Sequence, residues 1–146
     1  MQVEIKIDSS CPEPKIIVLT ASMTEEINNI VKKLSEDVPQ IISGIRDGRI
    51  EVLEPESLIR IYAGSGKVFA VTDKGEYTVR LRLYELEARL DCVSFVRISN
   101  SEIINLKKVN SFDLSFTGTI CVRLSNGTQT YTSRRYVSKI KKILGI

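Results

Sequence analysis

The sequence predicts a mainly β fold with few helices, of the α+β class, and three observations carry that prediction. From residue 41 to residue 132, short apolar runs with a period of two alternate with glycine-bearing turn signals. Only three segments, near residues 25–34, 83–90 and 134–144, repeat apolar residues with the helical period. The 146 residues, 42% of them apolar and free of low-complexity runs, suffice for one well-packed domain or for one of about 100 residues with a small appendage.

Taken in order, Val3, Ile5 and Ile7 alternate with Gln2, Glu4 and Lys6, which predicts a half-buried strand. Pro12 and Pro14 break it, and the continuous run Ile16, Ile17, Val18, Leu19 predicts a second, more buried strand. Ser22 and Glu25 have capping-box spacing, after which Ile27, Ile30, Val31 and Leu34 fall on one helical face until Pro39 ends the pattern. Residues 1–43 therefore read as a small β-β-α extension, too short for a doubly wound receiver domain, and the sequence leaves open whether it dimerises, extends the sheet, engages a regulator or simply packs on the rest. The best boundary candidate lies between Pro39 and Gly48, although Ile41 and Ile42 argue for continuity with the β-rich remainder; residues 44–146 form the main domain.

In that domain, residues 41–45 and 50–53 flank Asp47-Gly48, a pair that supplies the positive φ of a tight hairpin turn. Strands come next over 58–62, 68–72 and 77–81, with turns at 63–67 and 73–76, and Arg80 and Arg82 on one solvated face. Leu83, Leu86 and Leu90 form one stripe of a short helix packed on the sheet. Residues 111–116 and 119–124 pair across Thr117-Gly118, and Asn126-Gly127 turns into a strand at 130–132. Ser133 caps a helix over 134–144 with Val137, Ile140 and Leu144 inward and Lys139, Lys141 and Lys142 outward; Gly145 ends it. Phe95, Phe112 and Phe116 read as core.

Charge separates the two halves of the chain. The net charge is only +3, but residues 1–58 hold 6 Lys/Arg against 11 Asp/Glu and residues 59–146 hold 15 against 7, so the halves carry −5 and +8. A basic back half suits a polyanionic partner. There is no histidine, which removes Ser-His and Cys-His catalysis and histidine-ligated metals. Cys11, Cys92 and Cys121 are far apart with no CxxC, and read as small buried hydrophobes in a reducing compartment. Gly64-Ser65-Gly66-Lys67 has the wrong spacing for a phosphate-binding loop, and no dinucleotide or nucleophile-elbow motif occurs. We expect no catalytic residue, no metal, no cofactor and no small-molecule substrate. No apolar run approaches a membrane span, and MQVEIKID lacks a signal peptide's apolar core, so the expected location is cytoplasmic.

The stretch with most chemistry is 95–109, FVRISNSEIINLKKV. Arg97 is a planar five-donor fork, Asn100 carries an amide able to pair with a base edge, and Ser99 and Ser101 are short hydroxyls suited to phosphate oxygens. A surface loop whose Ser and Asn merely turn the backbone is the bland alternative. Further along, Arg134 and Arg135 crowd the first turn of the last helix, where cations oppose the dipole and nothing in folding requires them.

The series LYELEARL, FVRISNSEIINLKKV, LSNG and SRRYVSKIKKIL resembles the LytTR family of bacterial DNA-binding domains over roughly the last two-thirds of the chain. The resemblance implies an elongated, mostly β fold at 44–146 that presents loops, not a recognition helix, to successive major grooves of paired direct repeats and bends the DNA. By resemblance the base-reading positions fall on Lys67, on Ser99 and Asn100, and on Arg135, with Ser101 and Tyr136 touching the backbone. With Arg97 and Arg134 these are the expected DNA-binding residues. Many members carry His then Lys or Arg where this chain has Ser99 and Asn100, and an aromatic where it has Glu102; serine is the poorer base reader, and Glu102 is expected to face away from phosphate.

The chain resembles the short, receiver-less members of that family. That implies a transcriptional regulator acting as a homodimer at least on DNA, in some short members partnered by a small membrane protein that holds the regulator inactive. Two alternatives stay open: an RNA-binding module, disfavoured by 6% aromatics and no tryptophan, and a protein-interaction module, which leaves the basic half without a use.

Overall fold

The computed structural model describes residues 1–35 and 41–146, in two compact units, Met1–Pro39 and Gln40–Ile146. In the first, helix α1 (Glu25–Ser35) forms as its apolar spacing predicts. Its cap is Thr24 and not Ser22: the Thr24 hydroxyl accepts from the Ile27 N–H at 3.2 Å, and the Thr24 carbonyl accepts from that of Asn28 at 2.9 Å. The expected stop at Pro39 lies outside the described residues. The two expected strands do not form. Residues 1–24 hold no ladder, and Val3, Ile5 and Ile7 stand 88%, 84% and 97% exposed, because alternation alone supplies a face but not the paired neighbour that a strand requires.

Among its described residues the second unit has ten strands, two α-helices and two single-turn 3-10 helices. A seven-stranded sheet runs in the order β2-β1-β5-β4-β3-β7-β6, built from β1 (Ile42–Arg46), β2 (Arg49–Leu53), β3 (Leu58–Gly64), β4 (Lys67–Thr72), β5 (Gly75–Val79), β6 (Phe95–Ser99) and β7 (Glu102–Asn105). A three-stranded sheet runs in the order β10-β9-β8, from β8 (Val109–Asp113), β9 (Ile120–Leu124) and β10 (Gln129–Thr132). Every pairing among the described residues is antiparallel; six join consecutive strands through short connections, and β1–β5 and β3–β7 pair strands remote in the chain. At the first hairpin Asp47 and Gly48 take φ of 53° and 74°, and at the β3–β4 hairpin Ser65 and Gly66 take 53° and 74°, the two left-handed residues of a tight reverse turn.

Helix α2 (Leu83–Arg89) buries Leu83 and Leu86, with Leu90 just beyond it, against one face of the large sheet together with Leu58, Ile61 and Ile103. The small sheet and helix α3 (Arg134–Leu144) contribute Ile120, Val122, Leu124 and Ile140 to a second cluster with Ile59, Val96, Ile98 and Ile104. Ile103 and Ile104 thus serve opposite faces, and all four residues of β7 are buried. A strand covered on both faces loses its polar alternation, which is why EIIN carries no visible period.

Several expected side-chain positions differ. Of the three cysteines only Cys121 is buried; Cys11 and Cys92 lie in exposed turns. Phe95 and Phe112 are half-buried against the clusters, but Phe116 is 44% exposed and packs edge-on to Tyr131 with ring centroids 5.7 Å apart. Ile140 is fully buried and Val137 half-buried, whereas Leu144 is 36% exposed, and every residue after Ile140 is exposed. Among the described residues no helix is long and apolar enough to cross a membrane.

Candidate nucleic-acid interface

Three connections meet at one end of the large sheet. The β3–β4 hairpin ends on the Gly64–Lys67 pair, and the β6–β7 turn consists of Asn100 and Ser101 between paired Ser99 and Glu102. The Ala63 N–H donates to the Ser101 carbonyl at 2.8 Å, so the turn is bonded to the base of the hairpin. The Ser133 N–H donates to the Ile98 carbonyl at 2.9 Å, which fixes the start of α3 one residue before Ser99. The Tyr136 hydroxyl reaches Asn100 Oδ1 at 3.4 Å.

The β6–β7 turn is internally braced. A bulge between Arg97 and Ser99 shifts the register, and Arg97 spans it: its Nε donates to the Ser99 carbonyl at 2.8 Å and one Nη to the Asn100 carbonyl at 2.6 Å. The other Nη donates to Glu87 Oε2 of α2 at 2.7 Å. Every nitrogen of that guanidinium has a partner within the chain. The Ser99 hydroxyl accepts from the Ser101 N–H at 3.2 Å and lies 3.3 Å from the Ser101 hydroxyl. The turn is therefore a preformed shape, with the Asn100 side chain exposed at its tip.

The remaining cations face outward. Lys67, Arg134 and Arg135 are exposed, and among the described residues none has a carboxylate partner. The Arg135 guanidinium lies over the Tyr136 ring, 6.0 Å from its centroid. Arg134 lies against Gly118, whose φ of 72° makes the β8–β9 turn and whose missing Cβ would stand 3.0 Å from Arg134 Nε. Ser133 occupies the cap position of α3 without a side-chain cap bond, so its hydroxyl is not used by the first turn.

Glu102 turns inward, as its sign relative to phosphate suggests. It is 6% exposed, with Oε2 at 2.7 Å from Arg60 Nε and Oε1 accepting from the Thr130 hydroxyl, so it joins the two sheets. Burial pushes its carboxyl above the usual range, against the lowering from the Thr130 hydroxyl and from Arg60. Arg60 in turn stacks 4.3 Å over the Tyr62 ring.

The structure thus brings Ser99, Asn100, Ser101, Arg135 and Tyr136 together through direct bonds or sequence adjacency, and ties Lys67 to them through its hairpin. Sequence reasoning missed Glu87, Ala63 and Gly118 as supports. No local signal exists for them, because each acts through a neighbour brought close only by folding. The arrangement is a mainly β scaffold with an exposed amide and exposed cations on connections bonded to one another.

Comparison with known proteins makes the assignment specific. The model of the LytTr DNA-binding domain matches residues 48–145, and the chain belongs to that family. It is 30% identical over 147 residues, covering 100% of this chain and 99% of each relative, to uncharacterized HTH-type transcriptional regulators of Staphylococcus aureus strains NCTC 8325, COL and N315. Among solved structures, the LytTr DNA-binding domain of a methyl-accepting/DNA response regulator from Bacillus cereus superposes with a TM-score of 0.70 at 20% identity. That match covers 73% of this chain and 98% of the other and establishes the mainly β fold. The helix-turn-helix in the relatives' names has no counterpart among the described residues: five strands separate α2 from α3.

Proposed function

We propose that this protein is a sequence-specific regulator of transcription that binds double-stranded DNA through the loops at the β3–β4, β6–β7 and β10–α3 connections, two copies occupying a direct-repeat operator. The observation that carries the reading is the bonding of Asn100 and Ser101 to the start of α3 and to the β3–β4 hairpin, which holds an exposed amide beside an exposed arginine. In this reading Asn100 pairs with an adenine edge, Arg135 with a guanine O6 and N7, and Lys67 with a base in the neighbouring step. Ser99 shares the base-reading turn with Asn100, and Ser101, Arg134 and Tyr136 hold the sugar-phosphate backbone, where the exposed cations release counterions. Arg97 is a positioning residue, since its donors are committed to the turn.

The test is selection from random duplex DNA followed by anisotropy titration of the winning sequence over a salt series. We expect a repeated motif spaced by about one helical turn and a log–log salt slope near −0.9 per phosphate contacted. Binding that does not discriminate between sequences, in the wild type or equally weakened in Asn100→Ala and Arg135→Ala, overturns the base-reading assignment. Absence of any salt-dependent binding overturns the function.

A further inference from the structure

We infer that residues 2–8 are the pairing edge of a homodimer, formed when two copies of this chain lay these segments side by side in antiparallel register about Ile5. Three observations within the first unit lead there. Val3, Ile5 and Ile7 alternate with polar residues along a segment that belongs to no helix or strand, and they are among the most exposed large side chains of the protein, while residues 1–24 hold no strand. A segment with alternating apolar residues whose backbone joins no ladder among the described residues is a template for a further strand. The segment also has a defined end. The Asp8 carboxylate accepts from the Ser10 N–H at 2.9 Å and from the Ser10 hydroxyl at 2.6 Å, and the Asp8 carbonyl accepts from the Cys11 N–H at 3.1 Å, closing a turn.

The charge order selects the occupant. In an antiparallel pairing of the segment with itself about Ile5, Glu4 of each copy faces Lys6 of the other, Val3 faces Ile7, Gln2 faces Asp8 and Ile5 faces itself. The apolar row then lies on one side of the ribbon and the two ion pairs on the other. A shift of one residue along one strand sets apolar residues opposite charged ones, so the register is specified. A two-fold pairing of identical surfaces is also the commonest form of closed assembly. A two-stranded ribbon is marginal alone. A cleft of about 330 Å³ between Pro14, Ile16, Val18 and Val31, Leu34 of α1 lies in the same unit, and the side chains that line it offer apolar atoms for such a ribbon to cover.

The charge order makes the inference testable on the full chain in the absence of DNA, so it stands or falls separately from the operator reading. Sedimentation equilibrium measures the dimer constant of the wild type, E4K, K6E, the double variant E4K/K6E, and an equimolar mixture of the two single variants. Each single substitution sets like charges face to face at both symmetric sites, and should weaken the dimer about tenfold. The double variant restores opposite charges and should recover wild-type association. The mixture should form heterodimers in preference to either homodimer. In a background with Cys11 and Cys92 changed to Ser, I5C should form a disulfide across the two-fold under mild oxidation, at a rate that falls when E4K is added. A monomeric wild type overturns the inference. So does a dimer that ignores the charge substitutions, which would lie on another surface, or a double variant that stays as weak as the singles.

Discussion

Replacement of Arg97 by alanine separates a positioning role from a contact with DNA. The side chain is 15% exposed and makes three donations, two to turn carbonyls at 2.8 and 2.6 Å and one to Glu87 at 2.7 Å. The Glu87 side chain is 47% exposed, so that ion pair is screened and contributes well under 1 kcal/mol. The two bonds to carbonyls are charge-assisted and partly shielded, and each is worth about 1 kcal/mol net. Loss of the side chain's packing against the bulge adds a similar amount, for a total of about 2–3 kcal/mol. In urea unfolding that corresponds to a midpoint lower by roughly 1–2 M. Because the turn carrying Asn100 is released from its brace, affinity for the selected operator should fall while unrelated duplexes are bound about as before. Arg97→Lys should recover part of the stability but not the forked span across the bulge. A variant as stable as the wild type that nonetheless loses affinity equally for all duplexes would refute the argument, since it would mean that the guanidinium reaches phosphate directly.

The same geometry sets other outcomes. Asn100→Ala and Arg135→Ala should each cost about 1–3 kcal/mol of operator binding with relaxed preference at one base step, read by titration against single-base variants of the operator. The Glu102 carboxyl, raised by burial in the folded protein, favours folding most below the ordinary glutamate pKa, and that contribution is lost as pH rises through the raised value. Unfolding of the wild type and Glu102→Gln across pH should therefore show the difference shifting in favour of the wild type on acidification from neutral. Gly44→Ala would place a Cβ 2.7 Å from the Tyr77 Cβ and 2.8 Å from Leu53 Cδ1, and should destabilise by about 1–3 kcal/mol in a thermal melt. Ile140→Ala empties a fully buried position under α3 and should cost about 2–5 kcal/mol, with faster amide exchange in that helix.

The sequence by itself determined most local structure of the second unit, because its signals there are local. Asp47-Gly48 sets the first hairpin, the Leu83, Leu86, Leu90 stripe sets α2, and α3 spans Arg134–Leu144 with Gly145 at a φ of 74°. It also supplied the residue types and motif order of the candidate interface. Only tertiary structure decided what needs a distant partner. Whether Val3, Ile5 and Ile7 make a strand depends on a neighbour that residues 1–24 do not find within their own ladder, and β7 is buried on both faces because α2 covers one side and the small sheet the other. Arg97 is an identical guanidinium in either role, and only folding brings it to Glu87 and to the turn carbonyls, while Glu102 is turned inward by Arg60 and Thr130, 42 and 28 positions away. Periodicity reports which face of an element is apolar, while the partner that meets a polar group is fixed by packing between segments remote in the chain.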